Sequence, residues 1–315
     1  MSKSKKQTPS KLASPLERHV LGLIFKNPVL PASGTFNMGR EINENFFPIK
    51  HLGGLITKGM TPTKRAGNPA PRVAETHAGM LNSVGLQNPG VDVFIRDDLP
   101  FMKSHGVPVI ANACGNTVED YCYVVKQLDK SAIDAIELNI SCPNVKEGGM
   151  AFGICPDAAA RVVSAVRRLT KKPLIVKLSP NVSNIALIAQ AVERAGADAV
   201  SLINTVTGMA VDIDTRRPIL GNRIGGLSGP CVKPIALKMV WDVYNSVEIP
   251  VIGCGGASNY RDVLEFMLCG ATLVQVGTLC MTDPMEMQKI VSALEKWCLD
   301  NNIKSLDEIV GRLKV

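Results

Sequence analysis

Between residues 135 and 149 the chain runs Ala-Ile-Glu-Leu-Asn139-Ile-Ser-Cys142-Pro-Asn144-Val-Lys146-Glu-Gly148-Gly149. A thiol there stands between two carboxamides. Cys142 so flanked can exchange a proton with a bound substrate, while Asn139 and Asn144 offer donors and acceptors beside it. For an isolated thiol at a strand end the ordinary alternative is a small buried core residue. Proline fixes the backbone next to the thiol, and the glycines permit a mobile connection. That composition makes the segment from Lys146 to Gly153 a candidate lid over Cys142.

Other chemistry-bearing residues close short apolar runs elsewhere in the chain: Ser33-Gly34, Lys58-Gly59, Asn112, Lys177, Asn204-Thr205, Gly255-Gly256 and Gly277-Thr278. Each polar side chain would cost free energy if buried without a partner, so their recurrence at run ends points to a shared site rather than to core packing. Lys177 could stabilise negative charge developing on a bound ring, and the asparagines match the mixed donors and acceptors of a flat heterocycle. The glycine pairs at Gly255-Gly256 and Gly277, with the turn Gly225 to Gly229 before Pro230, suit backbone N–H groups approaching a phosphate. No G-x-G-x-x-G fingerprint is present at Gly253 to Ser258, so no dinucleotide site is visible.

These residues need elements to carry them. Eight apolar runs begin near Val29, Gly54, Pro108, Ala135, Pro173, Asp198, Pro250 and Thr272, with helix-like segments between them. Alternation of that kind predicts an α/β fold, a (β/α)8 TIM barrel with long inserted loops at its C-terminal face, a doubly wound open sheet being the alternative. In such a barrel all the residues above gather at one face. Helix starts are marked by Asn116-Thr117, Pro156, Asn184, Pro230 and Asp283-Pro284. Two connections are long, Met60 to Val107 and Val206 to Gly229, and long barrel loops commonly carry function.

The 315 residues are 46% hydrophobic and 20% charged, the composition of a globular chain with a large core. Residues 1–18 are expected to form a disordered basic tail and residues 19–315 a single domain. Four lysines and no acid fall in the first 15 residues, so the net charge of +7 drops to +3 without them. With aromatic residues at only 4%, nucleic-acid binding has little support. The chain lacks an apolar run of membrane-spanning length and a signal-peptide stretch at its N-terminus, so a cytoplasmic protein is expected. Nine dispersed cysteines without a C-x-x-C pair fit a reducing compartment and offer neither metal-ligand spacing nor an iron–sulfur cluster.

Taken together, Pro-Ala-Ser33-Gly34, Thr57-Lys58-Gly59, Gly67-Asn-Pro-Ala-Pro-Arg72, Asn82-Ser-Val-Gly-Leu86, Asn139-Ile-Ser-Cys142-Pro-Asn144-Val-Lys, Ile203-Asn204-Thr205 and Gly226-Leu-Ser-Gly229-Pro resemble class 1 dihydroorotate dehydrogenase, a flavin enzyme of pyrimidine biosynthesis. The resemblance covers about residues 20 to 310, and the loop after Asn144 is similar to subclass 1B. It implies FMN held by Ser33, Lys58, Gly59, Asn112, Asn139, Lys177, Ile203, Gly229, Gly255, Gly256, Gly277 and Thr278. It implies dihydroorotate contacted by Lys58, Asn82, Ser83, Val84, Gly85, Leu86, Asn139, Asn144, Asn204 and Thr205. Cys142 would be the base at C5 of the substrate while a hydride leaves C6 for the flavin. The subclass further implies a homodimer within a heterotetramer, whose iron–sulfur flavoprotein subunit carries FAD and a [2Fe–2S] cluster and passes electrons to NAD+. Rival readings are a stand-alone subclass 1A enzyme using fumarate, a phosphate-binding barrel lyase or synthase, and a flavin-binding scaffold without catalysis.

Overall fold

A computed structural model describes residues 13–141 and 152–314. Eight short strands form one parallel sheet: β1 Val29–Pro31, β2 Leu55–Met60, β3 Val109–Ala113, β4 Ala135–Asn139, β5 Leu174–Lys177, β6 Ala199–Leu202, β7 Val251–Cys254 and β8 Ala271–Val276. Each is paired with its chain neighbour from β2 through β8, and β8 pairs with β1. The remaining seam, between β1 and β2, is bridged where Gly53 N–H donates to the Val29 carbonyl at 3.0 Å. The sheet therefore closes on itself as a (β/α)8 barrel, and the open-sheet alternative is set aside.

The strands are buried on both faces, which is why they lack the polar alternation of a half-solvated sheet. Helices cover the outside: α1 Arg40–Asn45, α2 Leu99–Lys103, α3 Val118–Asp129, α4 Pro156–Arg167, α5 Ile185–Arg194, α6 Lys233–Tyr244, α7 Tyr260–Leu268 and α8 Met285–Asp300. Their starts follow the capping signals. Thr117 Oγ1 accepts from Asp120 N–H, and Asn184 Oδ1 accepts from Ala186 and Leu187 N–H. Apolar stripes such as Tyr121, Val124, Val125 and Leu128 on α3 turn inward at helical spacing.

Inside the barrel the residues stack in layers. Leu30, Ile56, Ile110, Ala135, Ile175, Ala199, Ile252 and Leu273 make an apolar layer, one residue from each strand. The hairpin Arg18–Val20 and Leu23–Phe25 plugs the N-terminal end below it with Val20 and Phe25. This corrects the expected tail boundary: Leu16 and Arg18 are buried, and Arg18 lies in a paired strand. Leu16 packs into the outer core between helices and sheet, and the Arg18 guanidinium donates to the Thr272 carbonyl and pairs with Asp307. Residues 1–12 lie outside the described residues.

The two long connections hold more order than their composition suggests. Val73–Thr76 pairs antiparallel with Gly79–Asn82, both from the connection after β2; Gly79–Asn82 pairs in turn with Gly225–Ser228, and that strand with Val206–Gly208, both from the connection after β6. This four-stranded accessory sheet brings two distant loops into one structure.

Candidate active site

One step above the apolar layer, period-two alternation brings polar residues into the barrel interior. Asn112, Glu137, Lys177, Ser201 and Gln275 are all buried there, each two residues beyond its apolar partner. Their hydrogen bonds form one network. Asn112 Nδ2 donates to Glu137 Oε1 at 2.7 Å, while Ser201 Oγ and Gln275 Nε2 donate to Glu137 Oε2 at 2.9 and 2.5 Å. Lys177 Nζ donates to Gln275 Oε1 at 2.7 Å and stands 3.9 Å from Cys254 Sγ. Burial works against the Lys177 ammonium, but the Glu137 carboxyl in the same layer acts against that cost, and the lysine holds its proton more tightly than an ordinary one. Burial likewise pushes the Cys254 thiol up, despite the neighbouring lysine.

The next layer forms the mouth. Asn139 sits opposite Lys177 in the β4–β5 register. Tyr121 Oη of α3 donates to the Asn139 carbonyl at 2.8 Å and fixes that strand end. Asn139 Oδ1 accepts from Ser141 Oγ at 2.7 Å, and Ser141 Oγ accepts from Asn204 Nδ2 at 2.6 Å. Thr205 N–H donates to Asn204 Oδ1 at 2.8 Å, and the Thr205 carbonyl accepts from Asn181 Nδ2. Thus Asn139, Asn204 and Thr205 converge as expected, joined by Ser141 and Asn181.

Lys58 and Gly59 end β2, where the pairing with β3 shifts register between Ile56 and Gly59. A Cβ at Gly59 would lie 2.6 Å from Cys114 Sγ and 3.1 Å from Asn112 Oδ1, so no side chain fits there. The Lys58 ammonium makes no hydrogen bond or ion pair among the described residues. Burial, then the positive charge of Arg72, pull its pKa below that of an ordinary lysine. It is a cation poised for an anion.

The glycine turns also converge. Gly255 and Gly256 follow β7 with φ of +128° and +83°, a backbone region that favours glycine. A Cβ at Gly256 would lie 2.6 Å from the Gly229 carbonyl, and one at Gly255 would lie 3.0 Å from Ile203 Cγ1. Gly229 precedes the turn Pro230–Val232 that leads into α6. Thr278 Oγ1 donates to Ser228 Oγ at 2.8 Å, tying the end of β8 to the same corner. Gly277 faces Ala32 at the end of β1, which sets the Ser33 turn beside it. Backbone therefore lines this corner closely enough to meet a phosphate through N–H groups.

The segment from Asn82 to Leu86 is only partly brought in. Asn82 Nδ2 donates to the Gly226 carbonyl within the accessory sheet, and Leu86 Cδ2 would stand 3.4 Å from a Cβ at Gly59. Ser83 and Val84 bond instead to Asn68, and Gly85 packs against the same residue. Cys142 and Asn144 lie outside the described residues, as does the expected lid up to residue 151. Gly153, at the far end of that lid, is buried: a Cβ there would lie 2.5 Å from the Ile140 carbonyl.

Glu137, Gln275, Ser201 and Ser141 carry this site and are absent from the sequence-based set. The signal for Glu137 was present, because it precedes Asn139 by two residues and so shares its face. Gln275 stands likewise in the middle of an apolar strand.

The sequence model of the family described as dihydroorotate dehydrogenase matches residues 15–298. Relatives include the "Dihydroorotate dehydrogenase B (NAD(+)), catalytic subunit" of Thermoanaerobacter pseudethanolicus, 50% identical over 300 residues, covering 95% of this chain and 99% of the relative. Proteins of the same description from Geotalea uraniireducens and Geobacter sulfurreducens are each 52% identical, covering 95% of this chain and 98% of theirs.

Proposed function

The chain belongs to the dihydroorotate dehydrogenase family, and from that premise we propose that it oxidises dihydroorotate to orotate in pyrimidine biosynthesis, using FMN at the barrel mouth and a separate electron-transfer subunit. The observation that carries this reading is the buried Lys177 cation beside Asn139, next to a corner lined by close backbone turns. Such a constellation fits FMN on its own terms. Gly229, Gly255, Gly256 and Gly277 present backbone at the corner, and Thr278 adds a hydroxyl, so N–H and O–H groups would meet phosphate oxygens there. Ser33, Lys58, Gly59, Asn112, Asn139, Lys177 and Ile203 would surround the ring with donors, acceptors and an apolar wall. Bound there, FMN would supply the two-electron acceptor for substrate oxidation.

The chain's own groups then have distinct tasks. Lys177 holds positive charge in a water-poor interior, where it acts most strongly on developing negative charge. Lys58 offers its unpartnered ammonium to the carboxylate of the substrate. Asn139, Asn144, Asn204 and Thr205 orient the substrate ring, and the Asn82-to-Leu86 segment with the accessory sheet roofs it against water. Cys142 removes the C5 proton.

In this reading the barrel, from Leu16 onward, is one FMN-binding domain, with a catalytic homodimer in a heterotetramer. The partner subunit would carry FAD and a [2Fe–2S] cluster and deliver electrons to NAD+, which suits a chain lacking a dinucleotide fingerprint. A cytoplasmic location follows from the same proposal, and no helix among the described residues is long and apolar enough to cross a membrane. Purified alone, the chain should convert dihydroorotate to orotate with an artificial dye and reduce little NAD+. Adding the partner subunit should bring NAD+ reduction with it. Efficient NAD+ reduction by the isolated chain would overturn the division of labour, and brisk turnover with fumarate would favour a stand-alone enzyme.

A further inference from the structure

Glu137 is wholly buried at the centre of the barrel, and both its carboxyl oxygens are engaged. A buried ionic network is a poor way to gain stability, since an apolar layer of similar volume is commonly as stable or more so. The layer directly below is apolar, contributed by the same strands. Polar content one step higher therefore calls for another explanation, and the direction of the hydrogen bonds supplies it.

Gln275 lies between Glu137 and Lys177. A carboxylate accepts only and an ammonium donates only, so one orientation of the Gln275 amide satisfies both neighbours. Its NH2 turns to Glu137, and its carbonyl is thereby held toward Lys177 Nζ at 2.7 Å. Asn112 is oriented by the same rule. Its NH2 donates to Glu137, which leaves Oδ1 to accept from Cys114 Sγ at 3.3 Å beside the Gly59 backbone. One carboxyl group thus sets the polarity of Asn112, proposed to meet the flavin, and of Gln275, the hydrogen-bond partner of Lys177.

We infer that Glu137 is a positioning residue of this site: acting through Gln275 it fixes the Lys177 ammonium, and acting directly it fixes the Asn112 carboxamide, for the flavin ring. The inference rests on the reading of the mouth as a flavin site.

The test is FMN titration of flavin-stripped protein by fluorescence, for wild type, E137Q, K177A and the E137Q/K177A pair, alongside flavin reduction by dihydroorotate. Gln at 137 places an NH2 against either Asn112 or the Ser201–Gln275 side, so one of the two carboxamides must turn over. E137Q should weaken FMN binding by about ten- to a hundredfold, the weight of one hydrogen bond to a charged group. Because Glu137 acts largely through Lys177, its effect should shrink when K177A is already present; a purely structural role would give additive losses. The exchange E137Q/Q275E reverses the hydrogen bond between the two side chains, turns the Ser201 hydroxyl from donor to acceptor and keeps a carboxylate in the layer, and it should recover most of the lost affinity. If E137Q does not fold, Q275M breaks the relay to Lys177 alone and should reproduce the loss. Wild-type affinity in E137Q or Q275M, or additive effects in the pair, would overturn the inference while leaving the flavin site standing. A wild-type chain that neither binds FMN nor oxidises dihydroorotate would overturn both.

Discussion

Lys58 shows how a single charge is held ready at the mouth. Burial and Arg72 lower its pKa below the ordinary lysine value of 10.5, so in the window between the two values the unfolded chain binds more protons. Stability therefore rises with pH through that alkaline window, and at neutral pH the full cost of keeping Lys58 charged is present. Lys58→Met should raise the thermal midpoint of flavin-stripped protein at neutral pH, and the gap from wild type should close as the solution is made alkaline. The same variant should bind orotate more weakly. At the base, Cys142→Ala should keep FMN and bind orotate yet lower the rate of flavin reduction by about 10²–10⁴, the usual cost of removing a general base. Rapid mixing with dihydroorotate measures that rate, and an unchanged rate would remove Cys142 from the mechanism. Lys177→Ala should lower flavin occupancy or slow flavin reduction strongly, read from the flavin-to-protein absorbance ratio and the same mixing experiment.

At the scale of elements, the barrel separates stability from chemistry by layer. Phe25 plugs the N-terminal end beneath the apolar ring and is fully buried, so Phe25→Ala should cost about 3–5 kcal/mol in denaturant unfolding. Flavin content per folded chain should not change, because the apolar layer stands between Phe25 and the polar one. The roof behaves differently. A Cβ at Gly226 would lie 2.0 Å from Thr205 Oγ1, so Gly226→Ala must displace Thr205 beside Asn204. It should raise the KM for dihydroorotate with FMN retained, and loss of FMN instead would place the accessory sheet in the cofactor site. The barrel strands were legible because both faces are buried and each run is mostly apolar. The accessory sheet was not: its strands are three or four residues of ordinary loop composition, such as Gly-Gly-Leu-Ser, and its central pairing joins segments more than a hundred residues apart. Strand ends were legible for Asn112, Asn139 and Lys177 because polar residues break apolar runs there. Glu137 and Gln275 escaped because they stand within runs, where only the alternation of faces shows that they point inward.

For the whole molecule, the two faces of the barrel differ in what they carry. The C-terminal face carries the polar layer, the glycine corner and the accessory roof, whereas the opposite face is closed by the Arg18–Phe25 hairpin. The relatives' description as a catalytic subunit agrees with a chain that holds one half-reaction. The central claim is that dihydroorotate gives its electrons to a flavin held in this mouth. Anaerobic addition of dihydroorotate to the purified, flavin-loaded chain, with no acceptor present, tests it most directly. The visible flavin band should bleach in proportion to the chain present, with one orotate formed per flavin reduced. A flavin band unchanged by dihydroorotate, in protein that a chemical reductant readily bleaches, would contradict the account.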